Sequence, residues 1–170
     1  STRNDESVVL VRSQAHAHRF ATHFSTVKKR ATGLRVRTSW RAGDTSYFIP
    51  DHTQQLRRDL TRDLRAARTR VHAALYDITD TPLSRAVLHV ANNKIPVSVV
   101  CDTTRYRDNR RSLVARFMRT PGIRCTQRGN DRHLMHHKYI VIDDTVWIGS
   151  MNWTRAGTTR NQEVVMRLHG

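Results

Sequence analysis

Carboxylates are the scarce chemistry in this 170-residue sequence. Asp and Glu number 14 against 30 Lys and Arg, and only two of the 14, Glu6 and Glu163, are glutamates. The shortage leaves a formal charge of +16, which points to polyanionic partners, nucleic acid first and an anionic membrane surface second. Cysteine is nearly absent as well. Cys101 and Cys125 cannot build a disulfide framework; both lie in strand-like segments that suit buried free thiols, and their even count leaves pairing open. Long apolar runs are missing too: none approaches the roughly 18 residues that a membrane span needs, and there is no signal-peptide pattern. The chain starts at Ser1 without an initiator Met, which is compatible with the loss of an upstream targeting or anchoring segment and leaves the compartment unknown.

What is present is arginine. Four lysines leave 26 arginines among the 30 cations, and the planar guanidinium fork suits phosphate oxygens better than simple solubility requires. Genome composition is the competing explanation for this bias. The hydrophobic fraction of 38% is modest but gathered into periodic segments, so the chain reads as globular. Its length fits one domain that buries roughly two thirds of its unfolded surface.

Residues 1–45 differ in texture from the remainder, with nine cations against three anions. Phe20, Phe24, Val27 and Ala31 recur at helical spacing up to Gly33, and "LRVRTSW" then alternates like a half-exposed strand. This basic extension reads equally as an Arg-faced nucleic-acid surface or as a solvated edge.

From Ser46 to residue 170 the pattern becomes regular. "SYFIP" is a short strand; Asp51 with Gln54 resembles a capping box, and Leu56, Leu60 and Leu64 mark one stripe of the helix that follows. "VHAALYDI" and "IPVSVVCD" read as buried strands, the helix between them opening at Thr81-Pro82. Asn109 is placed to cap a helix carrying Leu113, Val114, Phe117 and Met118. Strands near "IRCT", "KYIVID" and "VWIG", a short helix after Trp153 and a last strand "EVVMRL" complete the pattern. Strands alternating with helices predict an α/β domain: a mixed, mostly parallel sheet flanked by helices on both faces, with sites beyond the strand ends.

The stretch "HHKYIVIDDTVWIGSMN", residues 136–152, carries the chemistry. In an extended strand His136 and Lys138 share a face while His137 turns to the other. Asp143-Asp144-Thr145 makes a turn, and "VWIG" returns as the hairpin partner, bringing Gly149, Ser150 and Asn152 back beside His136. An imidazole, an ammonium, a hydroxyl and a carboxamide are thereby able to surround one phosphate without a metal. A metal reading from His133, His136, His137 and Asp143 fits no established zinc spacing and sets an ammonium beside the ligands.

His136-x-Lys138-x4-Asp143 followed by Gly149-Ser150-x-Asn152 resembles the HKD motif of the phospholipase D superfamily, in its single-motif nuclease or phosphodiesterase branch. With "YFIP", "ALYDITD" and "VSVVCD" in the expected order, the likeness covers about residues 46–168 and leaves residues 1–45 outside. The resemblance implies a phospholipase D-like fold and a metal-independent phosphodiesterase with no cofactor. A histidine attacks phosphorus to form a phosphohistidine, and a second histidine protonates the leaving oxygen. Carried over to this chain, His136 is the catalytic histidine, Lys138 and Asn152 hold phosphate oxygens, and Ser150 completes the pocket. Glu163 matches an acidic position that bonds the other ring nitrogen of the nucleophile, and Asp143 matches the motif aspartate, with a structural role expected from its place at the turn. Arg105, Arg107, Arg128, Arg132 and Arg155 are the candidate substrate-binding cations.

The motif occurs once, and neither His137 nor His133 makes a convincing second histidine. A two-fold homodimer that brings His136 of each subunit to a shared axis supplies it. The favoured substrate is DNA or RNA cut with little sequence preference, since the charge gives sequence-independent affinity. The alternatives are a phospholipase acting on an anionic lipid, with Phe20 and Phe24 as an interfacial stripe, and a non-catalytic nucleic-acid-binding module.

Overall fold

The computed structural model describes residues 3–5, 10, 14–31 and 46–169 of the chain. The helical spacing through Phe20 and Phe24 forms α1 (Gln14–Ala31), preceded by the short strand β1 (Arg3–Asp5). The strand expected in "LRVRTSW" lies outside the described residues. β2 (Ser46–Ile49) is buried along its whole length. Phe48 stacks on the ring of His23 at 3.8 Å between centroids and meets Phe20 edge-on at 5.3 Å. Ser46 Oγ adds a hydrogen bond to His16 Nδ1 at 2.9 Å.

α2 (Thr53–Ala66) buries Leu56, Leu60 and Leu64, one stripe at successive turns. Each leucine so buried stabilises the fold by about 1.5–3 kcal/mol. The helix does not start with the expected capping box. His52 holds the N-cap position without a side-chain cap, because its ring folds back and accepts the backbone N–H of Phe48 through Nδ1 at 3.0 Å. Thr53 Oγ1 bonds Pro50 O instead, at 2.9 Å.

β3 (Val71–Leu75), α3 (Thr81–Asn92) and β4 (Val97–Asp102) form a parallel crossover unit. Asp80 caps α3 by accepting the Leu83 N–H at 3.0 Å, with Pro82 in the first turn where its missing donor costs nothing. The segment after β4 departs from the expected single helix. Asp102 caps a separate helix, α4 (Thr103–Asp108), and Asn109 stands at its C-terminal end; α5 (Val114–Met118) then starts from Leu113. Asn109 Oδ1 is occupied by the Arg111 N–H, a local turn that ends one helix rather than starting the next.

The second half of the chain contributes β5 (Ile123–Asn130), β6 (His133–Met135), β7 (Lys138–Ile142), β8 (Thr145–Gly149), α6 (Arg155–Thr159) and β9 (Glu163–His169). The sheet order is β1-β6-β5-β4-β3-β7-β8-β9-β2. The sheet is mixed: its parallel ladders are β3–β4, β4–β5 and β1–β6, while β7, β8, β9 and β2 pair antiparallel. The parallel β3–β4 pair needs the α3 crossover, the antiparallel β7–β8 pair only a tight turn, and the antiparallel β3–β7 and β2–β9 pairs join segments distant in the chain. Cys101 and Cys125, on neighbouring strands, are both free thiols. The Cys125 sulfur beside it, together with burial, pushes the Cys101 thiol up, and the same contact draws Cys125 down.

Candidate active site

The ladders bring five strand ends to one edge of the sheet. β7 begins where β3 ends, with Lys138 opposite Leu75. β8 ends where β9 begins, with Gly149 opposite Val165. Beyond this edge lie Tyr76 after β3, Asp102 at the end of β4, His136 before β7, Ser150 and Asn152 after β8, and Glu163 at the start of β9.

His136 and Lys138, both half-buried, converge on the ring of Tyr76. The His136 imidazole meets it edge-on at 4.5 Å between centroids, and Lys138 Nζ lies 5.2 Å from the same centroid. Lys138 Nζ also donates to the His136 carbonyl at 2.5 Å, which holds the ammonium beside the imidazole backbone. His137 turns away to contact Tyr139 at 5.7 Å, while its carbonyl accepts the Tyr76 N–H at 2.9 Å and ties the two segments together. Burial, opposed by Arg105 and aided by Asp102 and Asp77, pushes the Tyr76 phenol above its ordinary value, so its ring stays neutral in physiological water.

Asp102 fixes the approach to His136. Fully buried, it accepts the Arg105 N–H, the Thr104 hydroxyl and, from across the sheet, the Met135 N–H at 2.9 Å. The residue before His136 is therefore pinned to the end of β4.

Ser150 and Glu163 meet on the opposite side. Ser150 Oγ donates to Glu163 Oε2 at 2.5 Å and accepts the Val164 N–H at 3.1 Å. The other Glu163 oxygen takes Asn161 Nδ2 at 3.1 Å. Gly149 is required here, because a Cβ at that position would lie 2.0 Å from Val164 O. Asn152 follows in a turn packed on Gly157, where a Cβ would come within 2.3 Å of the Asn152 carbonyl. The Asn152 Oδ1 atom is buried, and among the described residues no donor reaches it. A buried polar atom without a partner is costly unless something else in the reaction uses it.

The loop bearing Ser150 and Asn152 is fastened from below. Trp153 O accepts both the Thr79 and Asp80 N–H groups, at 2.8 and 2.7 Å. The buried Asp80 carboxylate takes Arg57 at 2.5 Å and the Thr158 hydroxyl at 2.8 Å, joining α2, α3 and α6 under the site.

Asp143 lies at the far end of the β7–β8 hairpin, in a left-handed conformation with φ 51° that Asp tolerates in a tight turn. Its carboxylate accepts the backbone N–H groups of Arg68, Thr69 and Arg70 and the Thr69 hydroxyl. Burial works against ionisation, but the Thr69 hydroxyl and these N–H groups hold the carboxyl down at about 2. Its partners are all structural, and it locks the hairpin turn onto the α2–β3 connection.

The candidate cations differ in their surroundings. Arg105 pairs with Asp77 at 3.0 Å and lies over Tyr76. Arg107 is held by two carboxylates, Asp108 at 2.7 Å and Asp131 at 2.9 Å. Arg128, Arg132 and Arg155 are exposed, on β5, in the turn before β6 and at the start of α6 respectively. Sequence reasoning missed Tyr76 and Asp77. The signal was an aromatic followed by a carboxylate immediately past the last apolar residue of β3.

Residues 60–170 match the family described as cardiolipin synthase, PLD-like domain. The chain is 31% identical to mitochondrial cardiolipin hydrolase of Mus musculus over 118 residues, covering 68% of this chain and 51% of that protein. It is 33% identical to the Homo sapiens protein of the same name over 110 residues, 63% of this chain and 42% of the relative. The chain thus spans about half the length of the curated relatives it matches. Among solved structures, NucT from Helicobacter pylori superposes with a TM-score of 0.68 at 25% identity, covering 72% of this chain and 82% of NucT. Nuc from Salmonella typhimurium, described as a phospholipase D family member, gives a TM-score of 0.63 at 22% identity, with 74% and 81% covered, a likeness of fold.

Proposed function

From the premise that the chain belongs to the phospholipase D-like family, we propose that it is a metal-independent phosphodiesterase that cleaves nucleic acid through a covalent phosphohistidine. The observation that carries this reading is the convergence of His136 and Lys138 on the ring of Tyr76, at the sheet edge that also presents Ser150 and Asn152. In the first step a His136 ring nitrogen attacks phosphorus, the N–P bond forms and the P–O bond to the leaving group breaks. The leaving oxygen takes a proton from a second imidazole, His136 of a two-fold related subunit. That imidazole, now neutral, accepts a proton from water as the water attacks phosphorus and releases His136. Lys138 and the Asn152 carboxamide stabilise the negative charge that develops on the phosphate oxygens. Glu163 keeps the Ser150 hydroxyl oriented toward the pocket.

The +16 charge, carried mostly by arginine, supports a nucleic-acid substrate. Turnover of an anionic phospholipid is the second reading, favoured by the name of the curated relatives and by Phe20 and Phe24, which are 39% and 69% exposed on α1. Among the described residues no helix is long and apolar enough to cross a membrane. The deciding experiment incubates the protein with single- and double-stranded DNA, RNA and anionic phospholipid vesicles, in chelator, beside His136→Ala. Nucleic-acid cleavage that survives chelator and disappears in the variant supports the first reading. Lipid turnover alone selects the second, and binding without turnover replaces both with a non-catalytic module.

A further inference from the structure

Many arginines face solvent in this chain, but Arg105 is fixed at three points. Its backbone N–H bonds Asp102 at 2.9 Å. Its Nη2 bonds Asp77 at 3.0 Å, and its guanidinium carbon lies 5.3 Å from the Tyr76 ring centroid. Asp77 is itself immobilised, because its second oxygen accepts Asn109 Nδ2 at 3.1 Å. A guanidinium oriented before substrate arrives loses little freedom on binding, so its contact is worth more than that of a mobile surface cation.

The pair is not electrically silent. The Asp77 side chain is 8% exposed and that of Arg105 is 43% exposed, so the end that faces solvent is the cation. Among the described residues the buried Arg105 Nε has no hydrogen-bond partner, a donor left over after Asp77 is satisfied. Arg107, two residues on, lacks this character because two carboxylates share it.

Tyr76 sets the distance from the reacting centre. His136 and Arg105 lie 4.5 and 5.3 Å from the same ring centroid, so they stand no farther apart than the sum of those lengths. One nucleotide of extended backbone bridges such a span. We propose that Arg105, mounted on Tyr76 and Asp77, forms a second phosphate subsite that binds the phosphodiester adjacent to the one attacked at His136. The site would thereby prefer a strand with consecutive phosphates over an isolated diester. This rests on the phosphodiesterase reading for its location but makes a separate claim about recognition.

The test compares thymidylyl-thymidine, with one phosphate, against the thymidine trinucleotide, with two, in the full chain and at fixed low salt. Both equilibrium binding and kcat/KM are measured for the unaltered protein, Arg105→Gln, Arg105→Lys and Arg116→Gln. The last removes the same charge from an exposed position on α5. The unaltered protein and Arg116→Gln are expected to favour the trinucleotide by about ten-fold, the scale of one charge-assisted contact. Arg105→Gln should reduce this ratio to within about two-fold of unity, chiefly through KM, and Arg105→Lys should keep part of it because charge remains without the fork.

A ratio that persists in Arg105→Gln, that is lost equally in Arg116→Gln, or that is absent from the unaltered protein overturns the subsite. So would an Arg105-dependent preference for vesicles of diphosphatidylglycerol over phosphatidylglycerol with none for the trinucleotide. Arg105-dependent trinucleotide binding without cleavage of either compound would uphold the subsite and refute the phosphodiesterase reading instead.

Discussion

The buried carboxylate of Asp102 and the backbone N–H of Met135 are joined by a 2.9 Å hydrogen bond that fastens the segment leading into His136 to the end of β4. The same carboxylate also takes the Arg105 N–H and the Thr104 hydroxyl. Replacing Asp102 with Ala strands three donors in a buried place, at a cost of about 3 kcal/mol. The expected drop in Tm is about 10 °C by scanning calorimetry. Phosphodiesterase activity should fall further than the folded fraction does, because the His136 approach loses its anchor.

Removal of His136 as Ala should abolish turnover in chelator while leaving Tm within about 1 °C of the parent, since the imidazole is half-buried and its replacement opens no core cavity. Lys138→Ala should lower kcat by about 100- to 1000-fold, the usual cost of deleting one group that stabilises developing charge. An equal rise in KM with kcat intact would assign Lys138 to ground-state binding instead. Steady-state kinetics on a fluorogenic phosphodiester separate the two.

A site that borrows its second histidine from a symmetry mate responds to mixing. When His136→Ala is exchanged into the unaltered protein at constant total concentration, activity should fall as the square of the unaltered fraction. Linear dilution would show that each subunit works alone. The same assembly should give a bell-shaped dependence of kcat/KM on pH, with one imidazole neutral and the other charged.

Asp143 makes a prediction about stability rather than rate. Its carboxyl is held down at about 2 against an ordinary value of 3.8, so the stabilisation is present above pH 4 and drains away as pH falls through 2. Allowing for solvent screening at this partly exposed position, Asp143→Asn should cost roughly 1 kcal/mol at pH 7. That corresponds to a Tm about 3 °C lower. The gap between variant and parent should close near pH 2; a gap that stays constant across the titration would rule out ionised Asp143 as its source.

The elements that sequence patterning reveals are those whose apolar residues are local and numerous. β3, β4 and the β7–β8 hairpin show as short apolar runs between turn residues, and α2 shows as a leucine stripe. α4 escapes because six residues rich in Arg carry no stripe, and only Asp102 marks its start. β6 escapes because its three residues are defined by backbone pairing to β5 and β1 rather than by their side chains. The capping box at Asp51 gives way to a contact between His52 and Phe48 that forms only once β2 is buried. His136, Lys138, Ser150 and Asn152 are legible together because one hairpin carries them. Tyr76 is not, since its meeting with His136 depends on β3 pairing with β7 across more than sixty positions of chain.

The hairpin's two ends do different work. Its closed end, at Asp143, is clamped to the connection after α2, whereas its open end carries the four groups that would handle phosphate. A stiff ladder between them behaves as a cantilever with a fixed root. Damage at the root shortens the lifetime of the whole beam, while the tools at its tip keep their mutual spacing for as long as the beam stands. Evolution is therefore free to retune the root for temperature without re-machining the tip.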